Sequence, residues 1–287
     1  MCRLFSSTLA LALLLTVPRI ADAAASYDNC KAFITSIPAV IASSGTYCVN
    51  ADVSMANVSG NAITVNADDV VIDCNEFKIG GLAAGAGTLA VGIGATDRHN
   101  LTIRHCNIRG FFYGTYIHGS SSGNHLIEDN RFDGNTEVGI EVEGDGSVVR
   151  RNRVFNSGGS TLLQDAFGIL TLYSVDLLNN TVSGVKALVG GGGTAVGIQT
   201  NTDVGGVVIG NGVRGLAKDG VGKDYGIYNV SGTRLNLRRN DVVGNVTTGS
   251  VGLYCESTDN RAVDNTITGF ATATSTCNDS GGNVVVP

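Results

Sequence analysis

Apolar and polar positions recur along this chain in the frame apolar-x-x-Asn-x-apolar. The frame occurs at Ile72-x-x-Asn75-x-Phe77, Ile127-x-x-Asn130-x-Phe132, Val149-x-x-Asn152-x-Val154, Leu177-x-x-Asn180-x-Val182, Val208-x-x-Asn211-x-Val213, Leu237-x-x-Asn240-x-Val242 and Ala262-x-x-Asn265-x-Ile267. An eighth copy, Ile103-x-x-Cys106-x-Ile108, carries cysteine in place of asparagine, and with it counted the interval runs from 22 to 31 residues. A glycine usually follows the second apolar residue by two, as at Gly110, Gly134, Gly184 and Gly215. Upstream, a Gly-apolar pair (Gly92-Ile93, Gly139-Ile140, Gly168-Ile169, Gly197-Ile198, Gly226-Ile227, Gly252-Leu253) starts another short strand, with Gly114-Thr115 its polar variant.

A unit of this size cannot bury its own apolar face and must stack on its neighbours, so the repeat predicts a solenoid. Each unit reads as three short strands joined by turns, which is one coil of a parallel β-helix. Eight coils at about 4.8 Å per rung give a rod about 40 Å long. An inward asparagine at the same corner of every coil finds hydrogen-bond partners in the amides above and below, so the asparagine column is a structural ladder.

The same patterning divides the chain. Residues 1–25 read as a signal peptide: Arg3 precedes an apolar core from Leu9 to Val17, and Ala21-Asp22-Ala23 is a small-residue cleavage site. Residues 26–60 read as an N-terminal cap, in which the stretch from Asp28 to Ile34 fits a short amphipathic helix or a strand. Residues 61–287 are the β-helix domain. Gly80 to Gly87, Asn156 to Asp165 and Gly190 to Gly193 are expected to leave the rod as loops, and the last residues, 278–287, are too few for a thick cap.

Composition sharpens this picture. The formal net charge is −6 and the basic residues are dispersed, which argues against nucleic acid as a partner. No segment reaches transmembrane length. Beyond the signal peptide stand six cysteines, an even number that suggests disulfides in an exported, secreted or periplasmic chain. Fifteen pairings are possible, but the repeat favours three. Cys74 and Cys106 lie on successive rungs, Cys255 and Cys277 about one coil apart, and Cys30 and Cys48 bracket the segment before the first rung. Metal spacings such as Cys-x-x-Cys are absent.

The rungs Leu101-Thr-Ile-Arg-His-Cys-Asn-Ile-Arg-Gly110 and Asp69-Val-Val-Ile-Asp-Cys-Asn75 resemble coils of the right-handed parallel β-helix repeat proteins of the pectin-lyase-like superfamily. The resemblance covers nearly the whole mature chain. It implies an all-β, single-stranded right-handed parallel β-helix, and it leaves activity open, because that superfamily holds lyases, hydrolases, epimerases, adhesins and tailspikes. The chain matches the polygalacturonase pattern only at Asn201-Thr202-Asp203, lacks the Asp-Pro-His of alginate epimerases, and has no tryptophan for the pectate-lyase signature.

In this superfamily the strand after each Gly-apolar pair usually holds the substrate groove. Alternation predicts one outward column there of Gly94, Tyr116, Glu141, Leu170, Gln199, Tyr228 and Tyr254, and a second of Thr96, His118, Glu143, Leu172, Asn201, Val230 and Glu256. Tyr116, His118, Glu141 and Glu143 then form a patch of candidate catalytic residues. Glu141, Glu143 and Asp145 alternate as candidate calcium ligands, and Gln199, Asn201, Tyr228 and Tyr254 are candidate substrate-binding residues. Another outward column, Asp73, Arg104, Glu128, Arg150, Leu178, Ile209, Arg238 and Val263, begins with alternating charges and reads as a structural ion-pair ladder. The histidines His99, His105, His118 and His125 fall on different strands and corners, so a shared metal site is not expected.

Two functional readings follow. One is an exported, non-catalytic β-helix that binds a polysaccharide, a cell-surface glycan or another surface partner. The other is a polysaccharide lyase or epimerase acting on an acidic polysaccharide, with calcium neutralising the uronate and a base removing its α-proton.

Overall fold

The computed structural model describes residues 29–286. The expected signal peptide lies outside them. Within them the chain winds as a right-handed parallel β-helix of three sheets. Ten strands from Ala39–Ile41 to Thr272–Ser275 form a front sheet, eleven from Ala32–Ile34 to Asn278–Asp279 a flank sheet, and ten from Val53–Ser54 to Val284–Val286 a back sheet. Each strand pairs in parallel with its equivalent one coil away, as Tyr113–His118 does with Val138–Glu143. No described helix is long and apolar enough to cross a membrane.

The core is a set of apolar columns running along the axis. Ile93, Thr115, Ile140, Ile169, Ile198, Ile227 and Leu253 align inside the front sheet. Ile72, Ile103, Ile127, Val149, Leu177, Val208 and Leu237 align inside the flank sheet, with Ile79, Ile108, Phe132, Val154, Val182 and Val213 inside the back sheet. Thr115 excepted, these residues are apolar, and all of them are buried. The glycine of each Gly-apolar pair sits where the backbone closes on this core: a Cβ at Gly168 would collide with Val182 and with the carbonyl of Gly197.

Asparagine occupies the corner between flank and back sheets. Asn130 donates its backbone N–H and its Nδ2 to Asn152 Oδ1 at 3.1 and 3.0 Å. The same step repeats from Asn152 to Asn180, Asn211, Asn240, Asn265 and Asn283. A second Nδ2 hydrogen bond reaches back to a strand carbonyl, as from Asn180 to Val149 at 2.8 Å. The residue before each asparagine is left-handed, with φ of 55° at Asp129, 54° at Arg151, 55° at Asn179 and 52° at Arg239. One left-handed residue turns the chain sharply, and the buried amide ties the turn to the next coil.

Three expectations change and one open alternative is settled. Asn75 is outside the ladder: Asn75 and Glu76 both have positive φ, at 46° and 66°, and this extra turn residue hands the inward corner to the fully buried Cys74. The ladder extends instead to Asn283, beyond the framed rungs, while the final residues form only the short strands Asn278–Asp279 and Val284–Val286, in keeping with an end too short for a thick cap. The segment read as an N-terminal cap already contributes strands to all three sheets, which is why the sheets hold more strands than the eight framed rungs. Of the two options for the stretch from Asp28 to Ile34 the described residues take the strand: Ala32–Ile34 pairs with Tyr47, Cys48 and Val49, held by the Cys30–Cys48 bridge. The other bridges are Cys74–Cys106 and Cys255–Cys277, so all three expected pairings are present.

Candidate functional site

The front sheet turns three columns outward. The middle one runs Gly94, Tyr116, Glu141, Leu170, Gln199, Tyr228, Tyr254 in paired register, as the alternation predicts. The next runs from Thr96 and His118 to Glu143, Leu172 and Asn201. A register shift after Thr200 then places Ser231, not Val230, beside Asn201, and the two side chains hydrogen-bond. Glu256 falls just past the strand Val251–Cys255. A third column, Val91, Tyr113, Val138, Phe167, Val196, Tyr225 and Val251, precedes the Gly-apolar pairs and was not foreseen from them. It makes this face more apolar than the other two columns suggest.

Toward the N-terminal end, Tyr113, Tyr116 and His118 stack in a row, with ring centroids 4.8 and 4.1 Å apart. His118 Nε2 meets Thr96 Oγ1 at 3.0 Å. Beside this row lie two buried carboxyls, Glu141 at 6% exposure and Glu137 at 4%. Burial pushes the Glu141 carboxyl up to about 8, with Glu143 and Glu137 adding repulsion. Burial likewise raises Glu137 to about 8, helped by Asp165, and Glu137 Oε2 has no hydrogen-bond partner among the described residues. Tyr116 is raised in turn by burial and by Glu141 and Glu143. The two carboxyls hold their protons at neutral pH because water cannot solvate their charged forms.

The other predicted residues divide. Glu143 accepts a hydrogen bond from the Gly119 N–H at 2.9 Å. Asp145 leaves the strand: Gly144, at φ 115°, breaks the alternation, and Asp145 accepts from the Ser174 N–H at 3.0 Å. Glu141, Glu143 and Asp145 therefore do not assemble as calcium ligands, and no group of three or more His, Cys, Asp or Glu among the described residues is arranged to hold a metal ion. Neither Arg150 nor Arg151 reaches the patch. Arg150 and Arg151 sit on the flank sheet, bound to Glu128 and Asp129, in the ion-pair ladder that also joins Arg104 to Asp73 at 2.8 Å.

Toward the C-terminal end, past Leu170 and Leu172, the face becomes an aromatic hollow. Tyr225 and Tyr228 stack at 4.3 Å, and Tyr254 stands edge-on to Tyr228 at 5.0 Å. A cavity of about 380 Å³ opens beside them, lined by Phe167, Val196, Gln199, Lys223 and the loop residue Val221. Of the four predicted binding residues, Gln199, Tyr228 and Tyr254 share this hollow or its edge, while Asn201 is tied to Ser231.

Residues 28–187 match the family model NosD, described as periplasmic copper-binding protein. The chain belongs to the NosD family. No curated protein sequence matches it. Among solved structures, the NosD-family chain is similar to the Dettilon tailspike protein at 14% identity and a TM-score of 0.52, over 88% of this chain and 56% of the tailspike. It thus spans about half of that protein's length. It is also similar to the A-module of the mannuronan C-5 epimerase AlgE6 of Azotobacter vinelandii, at 13% identity and a TM-score of 0.46 over 88% of each chain. At these identities the likeness is one of fold.

The front sheet of this NosD-family chain offers two kinds of chemistry. Its N-terminal half presents protonated carboxyls, a phenol row and an imidazole, all able to donate or exchange protons. Its C-terminal half offers flat aromatic surface with an amide and an ammonium at the edge, which can stack on a sugar ring and hydrogen-bond its hydroxyls.

Proposed function

We propose that this exported NosD-family β-helix binds a carbohydrate chain along its front sheet and does not cleave it. The aromatic hollow carries the reading: Tyr225 and Tyr228 on one rung line a cavity together with Gln199 and Lys223, and Tyr254 on the next rung stands edge-on to Tyr228. Rungs about 4.8 Å apart match the repeat of an extended sugar chain closely enough for successive rings to meet successive coils. The three disulfides and a family described as periplasmic fit an exported protein. A glycan array with the intact chain tests the idea. The reading expects a defined set of ligands whose affinity falls about tenfold in Tyr228→Ala; no ligand above background, or an unchanged Tyr228→Ala, sinks it.

A second reading, a lyase or epimerase on an acidic polysaccharide, rests on the protonated Glu141 beside Tyr116 and His118. It expects unsaturated uronate, followed by ultraviolet absorption, or altered uronate composition, followed by proton NMR, on pectate, alginate or glycosaminoglycan. Absence of both products, with and without calcium, removes it.

The family description names copper, and the residues here do not fit that ion. Copper favours thiolate, thioether or imidazole donors. The described cysteines are all in disulfides, and Met55 is buried in the core. His125 is 1% exposed and pushed down to about 4 by burial, with both ring nitrogens occupied, by the Leu101 N–H and by Ser122. His105 pairs with Asp73 and His118 with Thr96, and the exposed His99 belongs to no group of three or more His, Cys, Asp or Glu arranged to hold a metal among the described residues. Copper has no part in the proposed function.

A further inference from the structure

The basic residues of the flank sheet are treated differently at its two ends. In the N-terminal part Arg104, Arg150 and Arg151 each have a carboxylate partner. In the last rungs, Arg234 and Arg261 make no ion pair or side-chain hydrogen bond with any described residue, although the chain as a whole is acidic. Both line one cavity of about 480 Å³ at the corner where front and flank sheets meet, together with Asn236, Thr258, Asp259 and Asn278. Asn236, Arg261 and Asn278 stand in register on three successive rungs. The same flank-sheet column holds Leu126 and Val148 earlier in the rod and Val207 directly before Asn236, so coil stacking does not require polar groups there. Arg234 is also left-handed, with φ of 64°, a conformation that L-residues adopt at a cost.

We propose that this corner binds a sulfate or phosphate group carried on a larger ligand. Two guanidinium groups supply planar forks of N–H donors suited to oxyanions, and two amides and a hydroxyl add further donors. A tetrahedral sulfate or phosphate group presents three terminal oxygens and can use both forks, whereas a carboxylate satisfies one. The cavity is many times the ~30 Å³ that a water molecule occupies in the liquid, so it accommodates the group together with part of its carrier. Asp259 opposes the anion, and its neutralisation strengthens binding.

The test titrates the full chain separately with inorganic sulfate, inorganic phosphate and acetate, following the arginine Nε–H signals by NMR. Sulfate or phosphate binds saturably and shifts Arg234 and Arg261. Arg261→Ala or Arg234→Ala weakens binding about tenfold, Asp259→Asn tightens it severalfold, and Arg214→Ala, an equal charge change on the exposed end of back-sheet strand Gly212–Arg214, leaves it unaltered. Whether sulfate or phosphate binds more tightly identifies the group. The proposal is overturned if none of the three ions binds saturably, if acetate matches the better dianion, or if Arg214→Ala weakens binding as much as Arg261→Ala does. Unchanged affinity in Asp259→Asn also counts against it, and that variant keeps the test decisive should an arginine variant fold poorly.

Discussion

Glu137 and Glu141 are acids placed where ionisation is costly, and their burial makes the protein's stability depend on pH. Their folded-state values lie near 8 against an ordinary value of 4.5. Below about pH 4.5 folded and unfolded chains both hold these protons, so neither group opposes folding. As pH rises toward 8 the unfolded chain releases them while the folded chain keeps them, and stability falls; above about 8 both states are ionised and the loss levels off. The expected outcome is that Glu137→Gln and Glu141→Gln each raise stability at pH 9 by about 1–3 kcal/mol, with little effect at pH 4, in urea unfolding at both pH values. Loss of stability at pH 9 in either variant would mean that its carboxylate is ionised and paired. Glu141 was legible in the sequence because it stands in a period-2 strand fixed by Gly139. Glu137 was not, since it lies in the turn before that strand, where no periodicity marks a side chain as buried.

At the scale of the coil, the corner between flank and back sheets combines a left-handed residue with a buried amide. Replacing Asn180 by alanine takes the acceptor from the Asn152 N–H, one of two partners from Asn152 Nδ2, which keeps the Ile127 carbonyl, and the side-chain donor from the Val149 carbonyl. The expected cost is about 3–5 kcal/mol, against about 1 kcal/mol for Asn283→Ala at the half-buried end of the ladder, compared by chemical denaturation. Equal costs would refute the ladder as the source of the corner's stability. Arg239 gives the opposite test. It is left-handed, makes no described ion pair or side-chain hydrogen bond, and shares its column with Gly210. Arg239→Gly relieves more strain than it adds in unfolded-chain entropy, so a gain of about 0.5 kcal/mol is expected in the same measurement. The repeat was readable because asparagine marks this corner and glycine marks the next. It misled at Asn75, where one extra turn residue moves the inward position to Cys74. It stopped short of Asn283, which follows Asn265 by 18 residues, less than the spacing of the framed rungs. The outer column through Tyr113, Phe167 and Tyr225 was hidden for a related reason: the glycine taken as the strand's start is its second or third residue.

At the scale of the rod, coils contact only their neighbours, so stability is local and the ends open first. The ends differ in what holds them. All described ion pairs fall between Asp52 and Arg151, and Cys74–Cys106 is enclosed in the core, its sulfurs' residues 0% and 1% exposed. The C-terminal end has no ion pair among the described residues and exposes Val284, Val285 and Val286 at 55%, 52% and 47%. Its tie is Cys255–Cys277, whose loop of 22 residues contributes about 3 kcal/mol by restricting the unfolded chain. Cys277 is only partly buried, so a thiolate can reach this bridge while the inner one stays shielded. Mild reductant under native conditions is therefore expected to open Cys255–Cys277 before Cys74–Cys106, as read by mass spectrometry after alkylation. Hydrogen exchange should then accelerate across residues 251–286 and stay slow from the Thr102–Arg104 strand to the Asp176–Leu178 strand. Simultaneous loss of protection along the whole rod would show instead that the coils unfold as one unit, and that the terminal bridge guards more than the end it closes.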